Sequence, residues 1–337
     1  MKRARGLWPQ ILDRNNLRLA TCKALNGKRS RSDARKFIKD VDRNLARIAC
    51  ELDAGVFQVG RYHQFVIHDP KERVITAPCF EERVLHHAMM NVCEPIFERW
   101  FVSDTYACRK GRGRIAALLR SKQFSAGHVA YLKMDIRKYF DSIPHASLLA
   151  RLERLFKDQQ LLELWERIVG VFRGNLGIGL PIGALTSQHL ANFYLGHFDR
   201  FAKEKLRVPG YVRYMDDIVL WSNSLDQLHD WREESEEFLL SELGLQCKAN
   251  PYVNRTKFGI DFLGCRVWPT HLTLNRRSRI RFQRNLKKLE SLYASGHITS
   301  LELQQRTSAM LAFTKSEGVC SWRFRHSVLK DSLECGQ

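Results

Sequence analysis

Between Phe37 and Leu52, apolar side chains return at Phe37, Ile38, Val41, Leu45, Ile48 and Leu52. That is the three-to-four spacing of a single helical face, and it predicts an amphipathic helix. The period then shortens. Residues 56–59, 64–67 and 73–78 are short runs rich in β-branched and aromatic side chains, and they predict strands. Helical spacing resumes over about 81–98 and ends in a loop rich in Arg and Gly at 109–114. Further on, 130–136 predicts a strand, and 144–156 a helix with a proline in its first turn. Residues 160–172 and 187–205 predict helices, 211–221 a hairpin, and about 225–243 another helix. Beyond residue 264, Phe282, Leu286, Leu289 and Tyr293 draw an apolar stripe through a basic run: Arg276, Arg277, Arg279, Arg281, Arg284, Lys287 and Lys288. This pattern predicts a small helical domain with a basic face, and 321–326 a final packed helix.

Length and composition add bounds. The 337 residues suggest about two domains at roughly 150 residues each. An apolar content of 44%, with 19 Phe and 7 Trp, supplies a real core and excludes wholesale disorder. Lys and Arg number 55 against 36 Asp and Glu, a formal charge of +19. Such an excess points to an anionic partner, nucleic acid before an anionic membrane. No apolar run approaches the ~20 residues that span a bilayer. The first nine residues are basic but lack the ~7–15-residue apolar stretch of a secretory signal, so a cytoplasmic protein is expected. Nine cysteines show no Cys-x-x-Cys pairing, and the His86-His87 pair has no metal-ligand spacing around it. Reduced thiols are expected rather than disulfides or a zinc ribbon.

The chemistry concentrates in Tyr211-Val212-Arg213-Tyr214-Met215-Asp216-Asp217-Ile218-Val219-Leu220-Trp221. Two adjacent carboxylates between apolar runs are unfavourable in a half-buried hairpin without a nearby cation. A hairpin turn chosen for its geometry would favour Asn-Gly or Asp-Gly. A third carboxylate, Asp135, ends the apolar strand Tyr131-Leu132-Lys133-Met134-Asp135-Ile136. If the two strands are sheet neighbours, Asp135 and Asp216 converge. Oxygen ligands of this kind suit Mg²⁺, and two such ions ~3.5–4 Å apart serve phosphoryl transfer. Asp141, before Ser142-Ile143-Pro144, reads as a turn or helix-entry residue rather than a ligand. In Gly179-Leu180-Pro181-Ile182-Gly183-Ala184-Leu185-Thr186-Ser187-Gln188, Gly179, Pro181 and Gly183 let the backbone approach a flat neighbour, and Ser187 with Gln188 opens a helix.

These segments resemble a reverse transcriptase. Tyr214-Met215-Asp216-Asp217 is similar to that family's hairpin signature, and Asp135 through Phe140 to its other catalytic strand. The Ile182-Gly183-x-x-x-Ser187-Gln188 pattern resembles the reverse transcriptases of diversity-generating retroelements in particular. Segments 73–78, 83–88, 94–98 and 106–111 resemble the fingers of that group, 259–264 its primer grip and 267–271 the approach to its thumb. The resemblance covers about 56–290. It implies an α+β right-hand polymerase with fingers, an antiparallel palm sheet backed by helices, and a small helical thumb. On this reading 1–55 is a basic N-terminal extension, 56–128 the fingers, 129–265 the palm with a helical insertion at about 150–180, and 266–337 the thumb.

The resemblance also implies roles. Asp135, Asp216 and Asp217, with the carbonyl of Ile136, would hold two Mg²⁺ ions, Mn²⁺ being an alternative. Arg73, Arg83, Phe140, Ile182, Gly183 and Gln188 would bind the incoming dNTP, with Phe140 gating against a ribose 2′-OH. Lys248 would be the general acid for pyrophosphate departure, and Phe262, Leu263 and Gly264 the primer grip. The implied partners are a template-repeat RNA, an RNA or DNA primer with its cDNA, dNTPs, and an oligomeric small basic accessory variability protein. The host would be bacterial, the gene carried by a phage or mobile element, and the product an adenine-mutagenised cDNA. Ala184, where the group carries Asn, and Gly111-Arg112-Gly113-Arg114-Ile115, where it carries Gly-Lys-Gly-Thr-His, depart from the pattern. Cys265 also replaces an aromatic. Two other readings are a stand-alone bacterial reverse transcriptase of phage defence and a non-catalytic, maturase-like RNA-binding protein.

Overall fold

The computed structural model describes residues 2–68, 72–172, 176–249 and 251–315. Helices α1 (Trp8–Leu12), α2 (Arg14–Ala24), α3 (Ser32–Lys39) and α4 (Val41–Asp53) lead to the strands β1 (Tyr62–His68) and β2 (Glu72–Pro78) and the long helix α5 (Phe80–Trp100). Then come α6 (Arg114–Gly127), β3 (Ala130–Asp135), α7 (Tyr139–Ser142), α8 (His145–Glu153), α9 (Gln159–Gly170) and α10 (Leu185–Arg200). The chain continues through β4 (Gly210–Tyr214), β5 (Asp217–Ser222), α11 (Leu225–Leu243), β6 (Tyr252–Arg255), β7 (Ile260–Phe262), β8 (Cys265–Val267) and β9 (Leu272–Leu274). It closes with α12 (Arg276–Ala294) and α13 (Ser300–Lys315). The helix expected at 321–326 lies outside the described residues.

The chain divides into two compact units. One comprises the described residues up to 103 with 136–201 and 235–248; the other comprises 104–135, 202–234 and the described residues from 249 onward. The palm expected over 129–265 is thus shared between them. Among the described residues no helix is long and apolar enough to cross a membrane. Cys79 and Cys93 are free thiols.

The first unit is built on α5, whose Val84, Leu85, Ala88, Met89 and Phe97 are buried. Phe97 meets Phe156 and Phe193 at ring-centroid distances of 5.6 and 5.3 Å. His86 is also buried on α5, and desolvation pushes its pKa down to about 3, so the ring is neutral. The antiparallel pair β1–β2 stands before α5 with its outer strand exposed.

Three sequence expectations change here. The helix expected over 37–52 is two helices, because Asp40 leaves helical backbone at φ −137° and ψ 56°. Of the expected apolar face, Phe37, Leu45, Ile48 and Leu52 are nonetheless buried and Val41 is half-buried, whereas Ile38 is exposed. Residues 56–59 form no strand. The Val56 and Phe57 amides fold back onto the Glu51 carbonyl at 2.8 and 3.0 Å, and Gly55 and Gly60 flank the segment with positive φ. Pro144 stands just outside α8 as its N-cap rather than in the first turn. Farther along, α10 ends at Arg200 and continues as a π-helical turn, Phe201–Lys205.

The second unit holds a four-stranded antiparallel sheet in the order β4–β5–β3–β6 and a three-stranded one in the order β7–β8–β9. Side chains alternate across a strand, so Tyr131, Lys133 and Asp135 share one face of β3 with Asp217, Val219 and Trp221 of β5. Tyr131, Val219 and Trp221 pack with Ile260, Phe262, Cys265 and Val267 into one buried cluster that also takes in Leu118 of α6. Apolar residues thus fill one end of this face, and carboxylates mark the other. In α12 the predicted face is present: Phe282 is buried while Arg276, Arg277, Arg279, Arg284, Lys287 and Lys288 are exposed.

Candidate active site

The register of β3 and β5 decides the geometry. Asp135 is the direct cross-strand partner of Asp217, and the pairing runs unbroken back to Ala130 opposite Ser222. Directly opposed residues of an antiparallel ladder point to the same face with Cβ atoms ~4.5–5.5 Å apart. The direct pairing partner of Asp135 is therefore Asp217, and the two strands are sheet neighbours, as the expected convergence of Asp135 with Asp216 requires. Asp216 occupies the two-residue turn Met215–Asp216, since Tyr214 pairs with Asp217. All three carboxylates are partly exposed, so a ligand and water can reach them.

The turn is strained and held. Met215 has φ +55°, the left-handed region that non-glycine residues avoid. Its carbonyl accepts from Arg213 Nη1 at 3.0 Å, and Arg213 is fully buried. The edge of β4 is covered as well: the Arg213 amide donates to the Asp104 carbonyl and the Tyr106 amide to the Arg213 carbonyl, both at 3.0 Å. Asp104 in turn pairs with Arg120 at 3.1 Å. Burial raises the Tyr214 phenol pKa, with a smaller contribution from Cys108.

Beside the carboxylates lies Lys133, two residues before Asp135 on the same face. Its ammonium is 3.5 Å from Asp217 Oδ1 and donates to the Asp261 carbonyl of β7 at 2.7 Å. The hairpin that follows turns at Leu263–Gly264, with φ +48° and +76°. Arg114 Nε donates to the Leu263 carbonyl at 2.8 Å, and Asn275 Nδ2 to Asp261 Oδ1 at 2.7 Å. Phe262 is buried in the core cluster, while Leu263 and Gly264 are partly exposed.

In the first unit, segment 178–183 ties α7 to β2. The Gly179 amide donates to Ile143 O at 2.8 Å and the Leu180 amide to Phe140 O at 2.7 Å; Ile182 O accepts from the Thr76 amide at 2.7 Å. Gly183 needs its freedom at φ +123°, because a Cβ there would lie 2.8 Å from Ile75 Cγ2 and 3.0 Å from Thr76 O. The flat neighbour that its glycine admits is thus strand β2. A cavity of about 550 Å³ opens beside this junction, lined in part by Arg73, Thr76, Asp141, Phe172 and Ile182. Of the expected nucleotide residues, Arg73 and Ile182 line this cavity, Gly183 packs against β2, and the Phe140 carbonyl accepts from the Leu180 amide.

Arg83 and Gln188 are not among the residues that line that cavity. Arg83 is half-buried on α5, and desolvation, followed by the nearby Arg31, lowers its pKa. A second cavity of about 600 Å³ is lined by Arg31, Asp33, Arg61, Tyr62 and Cys79; Tyr62 borders both cavities. Gln188 is exposed on α10 and Ser187 is buried. Lys248 is exposed beside Cys247, which bridges to Ile136.

Among the described residues, no group of three or more His, Cys, Asp or Glu is placed to hold a metal ion unaided. The available donors are carboxylate oxygens from Asp135 and Asp217, with Asp216 next in the turn. Mg²⁺ is held in this way, by one or two carboxylates with its other positions on water and substrate phosphates, so the donor chemistry fits that ion. Sequence reasoning missed Arg213, Lys133 and Arg114. Asp141 lies in the first turn of α7, as its helix-entry reading expects, and it also lines the 550 Å³ cavity.

A family profile described as "Reverse transcriptase (RNA-dependent DNA polymerase)" matches residues 68–267. "Protein YkfC" of Escherichia coli K12 is 28% identical over 169 residues, 47% of this chain and 43% of that protein. "Group II intron-encoded protein LtrA" of Lactococcus lactis subsp. cremoris is 27% identical over 186 residues, 50% of this chain and 31% of that one. The chain thus spans less than half the length of these relatives. A telomerase structure from Candida albicans, in complex with a fragment of telomeric RNA, aligns at a TM-score of 0.46 and 15% identity, covering 68% of this chain and 48% of that one.

Proposed function

The chain belongs to the reverse transcriptase family, and on that premise we propose that it is an RNA-directed DNA polymerase. The observation that supports this most directly is the register pair Asp135–Asp217 with Asp216 in the adjoining turn. Asp135, Asp216, Asp217 and the carbonyl of Ile136 would hold Mg²⁺, with Mn²⁺ as an alternative. Two such ions, when bound, would activate the attacking hydroxyl and stabilise the departing pyrophosphate. Arg73 and Arg83 would take triphosphate oxygens, as guanidinium groups do bidentately. Phe140 would exclude a ribose 2′-OH. The backbone at Ile182 and Gly183 would support the nucleotide, with Gln188 contributing from α10. Lys248 would protonate the pyrophosphate, and Phe262, Leu263 and Gly264 would grip the primer. The basic face of α12 would bind nucleic-acid backbone, with an affinity that falls steeply as salt rises.

On this reading the fingers would span 56–128, the palm 129–265 and the thumb 266–337. The finer reading is that the chain copies a template-repeat RNA into adenine-mutagenised cDNA, working with a small basic accessory variability protein in a bacterial cytoplasm. The Ile182-Gly183-x-x-x-Ser187-Gln188 pattern favours it. The likeness to an intron-encoded protein favours a second reading, a bacterial reverse transcriptase acting outside diversification.

One experiment addresses both levels: sequencing the cDNA made by the purified protein on a defined RNA, beside Asp216→Ala and Asp217→Ala. Synthesis should fall by at least about 10³-fold in either variant, a loss of ~4 kcal/mol of transition-state stabilisation. Undiminished synthesis would refute the site. Errors concentrated opposite template adenine would support diversification, and faithful copying the second reading.

A further inference from the structure

The Lys133 ammonium joins the carboxylate ladder to the β7–β8 hairpin. Its Nζ is 3.5 Å from Asp217 Oδ1 and 2.7 Å from the carbonyl oxygen of Asp261. Its side chain is 19% exposed against 30% for Asp217, so both charges lie in a partly desolvated setting. A lysine placed only for solubility would extend into water, because an ammonium is strongly hydrated and its stem is flexible. This one is bent inward along the face shared by Tyr131 and Asp135 and spans two elements. Asp261 is itself fixed, its carboxylate accepting from Asn275 at the start of α12. The ammonium therefore bridges a site carboxylate and a hairpin that is anchored at its other end.

We propose that Lys133 is a positioning residue with two effects: it is a resident counter-ion of Asp217, and it tethers the β7–β8 hairpin to the carboxylate ladder. The proposal rests on the polymerase reading for its metal-ion consequence. A fixed positive charge beside a ligand carboxylate neutralises part of that ligand's charge and opposes an arriving divalent cation. Lys133 thereby weakens cation binding at Asp217 while holding the carboxylate in place between binding events. The same side chain makes the hairpin's position depend on the ladder, so a change at Asp217 is felt at Ile260–Phe262.

The test uses the full chain with an RNA template, a dideoxy-terminated primer and the next dNTP, so that no turnover occurs. Mn²⁺ binding is read by electron paramagnetic resonance, and amide hydrogen exchange is followed over 260–265. K133Q and K133M should each lower the half-saturating Mn²⁺ concentration about threefold to tenfold, the scale expected for removing one charge near a partly solvated carboxylate. Both variants should also speed exchange over 260–265. K133R, which keeps the charge, should retain the wild-type values in both measurements. Two neutral variants are used so that a packing defect peculiar to one cannot imitate the effect. Unchanged or weaker Mn²⁺ binding in both, with ordinary binding by the wild type, would overturn the Lys133 proposal alone. Unchanged exchange over 260–265 would overturn the tether. A wild-type protein that binds no Mn²⁺ with these substrates would overturn the polymerase reading and the counter-ion together.

Discussion

The carboxylate turn between β4 and β5 and the turn between β7 and β8 solve the same problem with different means. Each reverses the chain in two residues, and each places a bulky apolar residue first, Met215 at φ +55° and Leu263 at φ +48°. A left-handed backbone costs such residues roughly 1–2 kcal/mol. In both turns an arginine takes the carbonyl of the strained residue: Arg213 at 3.0 Å and Arg114 at 2.8 Å. The arginines differ in origin and burial. Arg213 lies two residues before Met215, fully buried, whereas Arg114 comes from the start of α6 and is only partly buried. The second positions also differ, aspartate in one turn and glycine in the other. A turn that must present a carboxylate cannot relax through glycine there, and a buried charge in its own strand supplies the restraint.

The largest effect that separates the turns should come from the arginines. Arg213→Met removes a buried guanidinium and leaves the Met215 carbonyl without that donor, which should cost ~3–5 kcal/mol of stability. Arg114→Met at the wetter turn should cost only about 1–2 kcal/mol, because water can replace a partly exposed donor. Urea denaturation of both variants measures the difference, and equal losses would break the comparison. A smaller effect is expected at Gly264. A Cβ there would stand 2.7 Å from Arg114 Nη2 and 2.9 Å from Ser278 Oγ, on a backbone at φ +76°. Gly264→Ala should therefore cost about 1–3 kcal/mol, since both the conformation and the space oppose it. A neutral result would mean that the Arg114 and Ser278 side chains yield freely.

The same contrast explains what the sequence could tell. The β3–β5 ladder was legible because both strands carry apolar runs that end in Asp135 and begin after Asp216. The register itself, with Asp135 opposite Asp217, was not legible, since turn length is fixed by the backbone at Met215 and no glycine announces it. Arg213 lay within the most informative segment and still went unread: a charge between Val212 and Tyr214 looks like a solvent-facing strand position. Arg114 is 149 residues from the carbonyl it binds, beyond the reach of any local pattern. Lys133 followed the period of its strand, but the Asp261 carbonyl that it finds lies 128 residues on. The failures elsewhere were local as well. Residues 56–59 have strand-like side chains, but two flanking glycines and the Glu51 carbonyl turn them back.

The finest distinction between the turns lies in what the strained side chains do. Leu263 packs against the buried cluster of the second unit, and Met215 is not among the side chains packed there. Asparagine tolerates left-handed backbone better than either, so substitution relieves strain in both turns. At Met215, outside that cluster, the relief of strain should dominate, and Met215→Asn should stabilise the protein by ~0.5–1 kcal/mol. At Leu263 the lost apolar contact outweighs it, and Leu263→Asn should destabilise by about 1 kcal/mol. Thermal melts of the two variants should therefore shift in opposite directions. A shift of the same sign would mean that strain and packing are shared alike by the two turns, and that only the arginines set them apart.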